Sequence, residues 1–227
     1  LWLPMLGAVV VHWFYQTALI RSLHRGDLSL VFPVMRGLAP LFTAIIAFAA
    51  LRETLTPGAT AGLILASCAI IVFALPGDNG LAQRKLDQSA LFWAVVTAIG
   101  IAAYAVVDAS VARAMPVTAT FVVWLFLLDW VGITAVTLYT RRGQVIERVR
   151  PQLKAGLLGG IAGTLSYGAI IYAYTLTDTT ALVTAIRETS VVWAALLGWL
   201  FLKEGFGARR TGAALALAAG LVMMQAA

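Results

Sequence analysis

Long apolar runs separated by short polar breaks pattern the whole chain, and the length of the runs identifies the solvent. A helix rises about 1.5 Å per residue and the hydrocarbon of a bilayer is about 30 Å thick, so a spanning helix takes about 20 mainly apolar residues. Runs of that kind fall near residues 2–20, 28–51, 58–76, 89–111, 117–139, 153–176, 180–202 and 211–226. The breaks between them are charged or turn-forming: Arg21 to Asp27, Thr54 to Gly58, Pro76 to Gly80 and Thr175 to Asp178. The longest, Arg141 to Pro151, reads as a basic loop lying on the membrane surface. The runs lack the in-out alternation of outer-membrane strands, which excludes a β-barrel. The pattern predicts an all-α integral membrane protein, a multi-helix bundle of about eight transmembrane helices.

Composition agrees and narrows the chemistry. The 227 residues are 61% hydrophobic and 11% charged, whereas a soluble chain carries roughly a quarter charged residues. The single cysteine, Cys68, excludes a disulfide framework and a cysteine-based metal cluster, and no cofactor motif is present. A net charge of +6 would fit a nucleic-acid ligand only if the basic residues were gathered on a soluble face. They are not. Numbering the connections alternately to the two sides puts twelve of the sixteen on one side: Arg21, Arg25, Arg84, Lys85, Arg141, Arg142, Arg148, Arg150, Lys154, Lys203, Arg209 and Arg210. Only Arg52 and Arg113 fall opposite, and Arg36 and Arg187 lie inside apolar runs. Short basic loops stay cytoplasmic, so loops 21–27, 77–88, 141–152 and 203–210 are expected inside a multi-pass protein of the cell inner (plasma) membrane. Both ends of the chain then face outside, and nucleic acid is excluded as a partner. Residue 1 is Leu with no charged region or cleavage site around it, so further residues are expected upstream.

A shift of 151 residues lays the stretch 27–53 on 178–204 without a gap. All four of its charges meet a like charge: Asp27 with Asp178, Arg36 with Arg187, Arg52 with Lys203 and Glu53 with Glu204. Apolar identities come easily in such a composition, but charge is scarce and its coincidence is informative. The second segment thus corresponds to the seventh. Five crossings separate them, an odd number, so the copies run through the bilayer in opposite directions. Such an inverted-topology repeat is typical of secondary transporters, whose substrate site lies near the midplane.

The pattern Gly26-Asp27-Leu28-Ser29-Leu30-Val31-Phe32-Pro33, Arg36-Gly37-Leu38-Ala39-Pro40 and Leu51-Arg52-Glu53 resembles EamA-type members of the drug/metabolite transporter superfamily, as does its partner Arg187-Glu188-Thr189-Ser190-Val191 with Leu202-Lys203-Glu204. The resemblance implies two EamA repeats of five helices each and export or exchange of small metabolites. Residues 1–76 are then the C-terminal three helices of the first repeat, 77–88 a cytoplasmic linker and 89–227 a complete second repeat, a 3 + 5 arrangement with two helices expected ahead of residue 1. Members are commonly drawn with both termini inside, whereas the charge count here argues the reverse.

Ionised groups inside the bilayer are costly and face the bundle interior. Arg36 and Arg187 each lie nine residues past an aspartate at a helix end, about 13 Å along the axis, so both approach the midplane. Together they would attract an anionic group through bidentate hydrogen bonds. The alternative is that each pairs permanently with a buried acid: Asp108, Asp129 or Glu188. Glu188 adjoins Arg187, but helix neighbours point about 100° apart, so the two need not pair. Asp108, Tyr104 and Thr97 form one polar stripe. Carboxyl groups removed from water are suited to carrying a proton, which makes Asp108 the first choice for coupling and Asp129 the second. His12 with Tyr15 and Gln16 forms a candidate cavity face. Pro40 deprives the Arg36 carbonyl of its helical partner and Pro33 that of Ser29, which marks the second helix as the hinge. Gly156, Gly160, Gly163 and Tyr167 share a face read as close helix contact with one polar reach. Glu53 and Glu204 read as interfacial anchors.

The function expected is a secondary active transporter, an exporter or proton antiporter, of a small anionic or zwitterionic metabolite. Its partners are the substrate, the bilayer, protons and, as a further option, a second copy of the chain. The substrate-contact set is Arg36, Arg187, Glu188, His12, Gln16, Tyr104 and Tyr167. The alternatives are an intramembrane enzyme acting on a lipid, against which stands the lack of a nucleophile–base pair or metal-ligand spacing, and an inert fragment completed only by its missing helices.

Overall fold

The computed structural model describes residues 2–26, 28–74, 88–140, 145–202 and 208–226. Asp27, most of the linker 77–88, residues 141–144 of the basic loop, and Lys203 and Glu204 lie outside them. The long helices follow from the apolar runs, and one short helix forms within the basic loop: α1 (Trp2–Arg25), α2 (Leu28–Leu51), α3 (Pro57–Ala74), α4 (Gln88–Ala114), α5 (Thr118–Thr140), the short α6 (Val145–Val149) with a 3₁₀ turn (Arg150–Gln152), α7 (Leu153–Tyr174), α8 (Thr180–Arg187), α9 (Ser190–Leu202) and α10 (Ala208–Ala226). Five spans among the described residues are long and apolar enough to cross a membrane: Trp2–Arg25, Val31–Leu51, Gln88–Ala114, Thr118–Tyr139 and Arg150–Tyr174. Pro57–Phe73 is a shorter apolar helix.

Two features differ from the sequence expectation. α2 runs unbroken through Pro33 and Pro40; Thr43 Oγ1 donates to the Ala39 carbonyl at 2.8 Å within it. The interruption falls instead in the seventh segment, which divides into α8 and α9. Around Glu188 and Thr189 the backbone tightens into three-residue bonds, Thr189 N to Ile186 O (3.0 Å), Val191 N to Glu188 O (3.1 Å) and Val192 N to Thr189 O (2.9 Å). The Thr189 hydroxyl also claims the Ile186 carbonyl at 2.8 Å. Threonine side chains compete in this way for carbonyls that a helix would otherwise use. The second difference concerns α7. A Cβ added at Gly156, Gly160 or Gly163 meets nothing within 4 Å, so among the described residues no helix packs closely on these three glycines.

Two compact units make up the chain, and they do not follow the repeat boundary. The first holds Leu1–Trp13 and Val107–Thr177, the second Phe14–Val106 and Asp178–Ala227. In the first unit, Met5, Ala8 and Val9 of α1 pack with Val111 and Ala112 of α4, Phe121 and Leu125 of α5 and Ile171 of α7. Arg113, at the end of α4, donates from Nε to the Tyr174 carbonyl (2.9 Å) and from Nη2 to the Thr177 carbonyl (2.8 Å). It thereby satisfies orphaned acceptors at the C-terminus of α7, where a cation is favoured.

In the second unit α3 and α10 pack antiparallel, Leu63 beside Met224 and Ala66, Ala69 and Ile70 beside Leu217. A Cβ at Gly62 would stand 2.5 Å from the Gly220 carbonyl oxygen, and one at Gly220 2.6 Å from that of Gly62. Glycine at both positions is what lets the two backbones touch, the small-residue packing that membrane helices use where apolar burial gives no drive.

Candidate functional site

Glu188 occupies the turn between α8 and α9 and is completely buried. Its carboxylate is the acceptor for two guanidinium groups. Arg36, from α2, donates through Nη1 to Oε1 at 3.1 Å and Oε2 at 3.0 Å. Arg187 donates from Nε (3.2 Å) and Nη2 (3.1 Å) to Oε1, and from Nη1 to the Tyr104 hydroxyl of α4 at 2.8 Å. The Tyr15 ring of α1 stands edge-on to Tyr104, centroids 4.9 Å apart. Burying a carboxylate alone would cost several kcal/mol; here two cations meet it, and the three groups sum to one positive charge. Arg187 and Glu188 pair although adjacent, the long guanidinium arm reaching back to the carboxylate at the C-terminus of α8.

The two arginines are not equivalent. Arg187 has a side chain 10% exposed and uses all three of its nitrogens. Arg36 is 28% exposed, commits Nη1 alone, and lays its guanidinium over the Phe32 ring at 5.1 Å. Among the described residues Nε and Nη2 of Arg36 have no acceptor.

A second cluster lies in the first unit. Asp108 of α4 is fully buried. Its Oδ2 accepts the Tyr167 hydroxyl of α7 at 2.6 Å and lies 2.9 Å from His12 Nε2 of α1. His12 and Tyr167 meet edge to face at 5.7 Å, and Phe126 flanks the same tyrosine at 6.2 Å. Oδ1 of Asp108 is buried without a hydrogen-bond partner among the described residues. This cluster can hold a proton, or pass one among a carboxyl, an imidazole and a phenol.

Membership follows from comparison with known proteins. The sequence model of the EamA-like transporter family matches residues 88–225, from α4 to α10. The chain belongs to that family. No curated protein matches it significantly. As an EamA-like transporter it is a membrane transporter of the drug/metabolite transporter superfamily, an all-α bundle with several membrane-spanning helices.

The candidate site residues of this EamA-like transporter fall into both units. Arg36, Arg187, Glu188 and Tyr104 come together in one unit, His12, Asp108 and Tyr167 in the other. Gln16 is half-buried on α1 in the second unit. Asp129 engages through its backbone, its carbonyl accepting Trp13 Nε1 at 3.0 Å. Thr97 turns its hydroxyl back to the Trp93 carbonyl of its own helix at 2.7 Å, whereas Tyr104 and Asp108 of the same stripe bond to other helices.

Glu53 is the residue that sequence reasoning misread. It follows Arg52, whose φ of 59° turns the chain after α2. Its carboxylate accepts the Thr180 amide at 2.7 Å and the Thr180 hydroxyl at 2.6 Å. Thr179, the N-cap of α8, makes no side-chain cap bond, and Glu53 supplies one from another helix. Its match to Glu204 under the 151-residue shift was the available signal.

Proposed function

We propose that this EamA-like transporter carries a small anionic or zwitterionic metabolite by secondary active transport, coupled to proton exchange. The observation that supports the reading is the meeting of Arg36 and Arg187, one from each repeat, on a single buried carboxylate. Ionisable residues within transmembrane segments mark substrate and ion pathways, and guanidinium forks match carboxylates in geometry as well as charge. The substrate's acidic group approaches this cluster, and Tyr104 adds a hydroxyl to the polar wall.

Asp108, held by His12 and Tyr167, is the proposed proton carrier. The count of basic residues supports loops 21–27, 77–88, 141–152 and 203–210 as the cytoplasmic side of the inner (plasma) membrane. Uptake into proteoliposomes containing the full-length protein tests the substrate site. Arg36→Ala and Arg187→Ala should each reduce transport to background; full transport by both variants would discard the arginine site.

A further inference from the structure

Resting on the anion reading above, we infer that Glu188 sets the charge rule of the site: it admits a single negative charge at Arg36 and discriminates against dianions. The argument is a count of charges and donors. Arg36 and Arg187 bring two positive charges and Glu188 one negative, so the cluster lacks one negative charge. Tyr104 and Tyr15, the other polar side chains facing it from α4 and α1, add none. Each nitrogen of Arg187 is already bonded to Glu188 or Tyr104, and its task is to hold Glu188 in place.

Arg36 has the exposure and the spare donors. A guanidinium carries five N–H groups; those on Nε and Nη2 point from an edge that a carboxylate can take bidentately, while Nη1 keeps its bonds to Glu188. One carboxylate on that edge brings the cluster to neutrality. A second negative charge on the same ligand would lie near a buried carboxylate with no further cation among the described residues of the cluster to meet it. Such an unpaired charge out of water is strongly disfavoured. The permitted ligand is therefore a carboxylate, or another singly charged acid, whose remaining groups are neutral or balanced internally.

The test uses succinamate and succinate, one skeleton with one and two negative charges, titrated by calorimetry into the full-length protein in nanodiscs at neutral pH. The wild type should bind succinamate at least about tenfold more tightly than succinate. Glu188→Gln adds a positive charge to the cluster and should remove or invert that preference. Glu188→Asp, which preserves charge and guards against misfolding of the amide variant, should retain it. Arg36→Ala should weaken both ligands, since it removes the docking edge. A wild type that prefers succinate, or a ratio unchanged in Glu188→Gln, would overturn the charge rule while leaving the anion site standing. Binding of neither probe by any of these proteins would overturn the anion reading itself.

Discussion

Glu53 offers the clearest measurement of how α2 is fastened to α8. Its carboxylate makes two short bonds to Thr180, to the amide at 2.7 Å and the hydroxyl at 2.6 Å, and Thr180 is completely buried. Hydrogen bonds to charged groups contribute about 1.5–3 kcal/mol each. Glu53 is itself half-exposed, which argues for the lower end, so Glu53→Ala should cost about 2–3 kcal/mol. Glu53→Gln keeps one good acceptor and should lose about half of that. Thr180→Val removes the hydroxyl and leaves the amide bond, so the double-mutant cycle of Glu53→Ala with Thr180→Val isolates the 2.6 Å bond. Its coupling energy should be about 1 kcal/mol. The assay is reversible unfolding in mixed micelles, each variant measured with the wild type. Losses that add to within about 0.5 kcal/mol, the range seen for independent sites, would refute the latch.

Gly220→Ala places a methyl 2.6 Å from the Gly62 carbonyl oxygen and 2.8 Å from the Ala66 nitrogen; forcing α3 and α10 apart should cost about 1–3 kcal/mol. Gly160→Ala, which meets nothing within 4 Å, should be neutral or stabilising by up to about 1 kcal/mol through helix propensity. Thermal unfolding in nanodiscs compares the two, and equal melting temperatures would contradict the packing described. Asp108→Asn keeps an acceptor for Tyr167 but cannot exchange a proton. Flux driven by a pH gradient should vanish in proteoliposomes while substrate exchange persists, and undiminished dependence on the gradient would remove Asp108 from the coupling role.

The bilayer makes much of this fold legible before any coordinates. A segment that cannot expose backbone groups to lipid must be a helix of a set length, so the apolar runs marked all the long helices. Arg36 and Arg187 were legible for the same reason, each being a rare charge within an apolar run. Their partner is legible only as one of three acids, Asp108, Asp129 or Glu188, because periodicity gives directions along one helix and not contacts between helices. The break at Glu188 and Thr189 carries no proline; its trace in the sequence is four polar residues in succession, Arg187 to Ser190, inside an apolar stretch. The two prolines of α2, which mark it as a hinge in the sequence, stand in a helix that runs unbroken. In a transmembrane helix, neighbouring helices and side chains re-satisfy the carbonyls that proline frees, and those neighbours come from distant sequence. Glu53 was hidden by position, since a carboxylate at a helix end looks solvated until another helix starts beside it.

The contact between Gly62 and Gly220 has a mechanical consequence. Side chains that interdigitate can slip past one another by changing rotamers, so an interface built from them has many small degrees of freedom. Carbonyl oxygens and Cα atoms in direct contact have none. Along this stretch α3 and α10 therefore behave as a single girder, and a shift of either carries the other with it. Among the described residues of that unit, the turn holding Glu188 is where a membrane segment lacks regular helical bonds, and compliance is expected there. The residue that fixes the charge of the site thus also sits at the joint where that unit gives most readily.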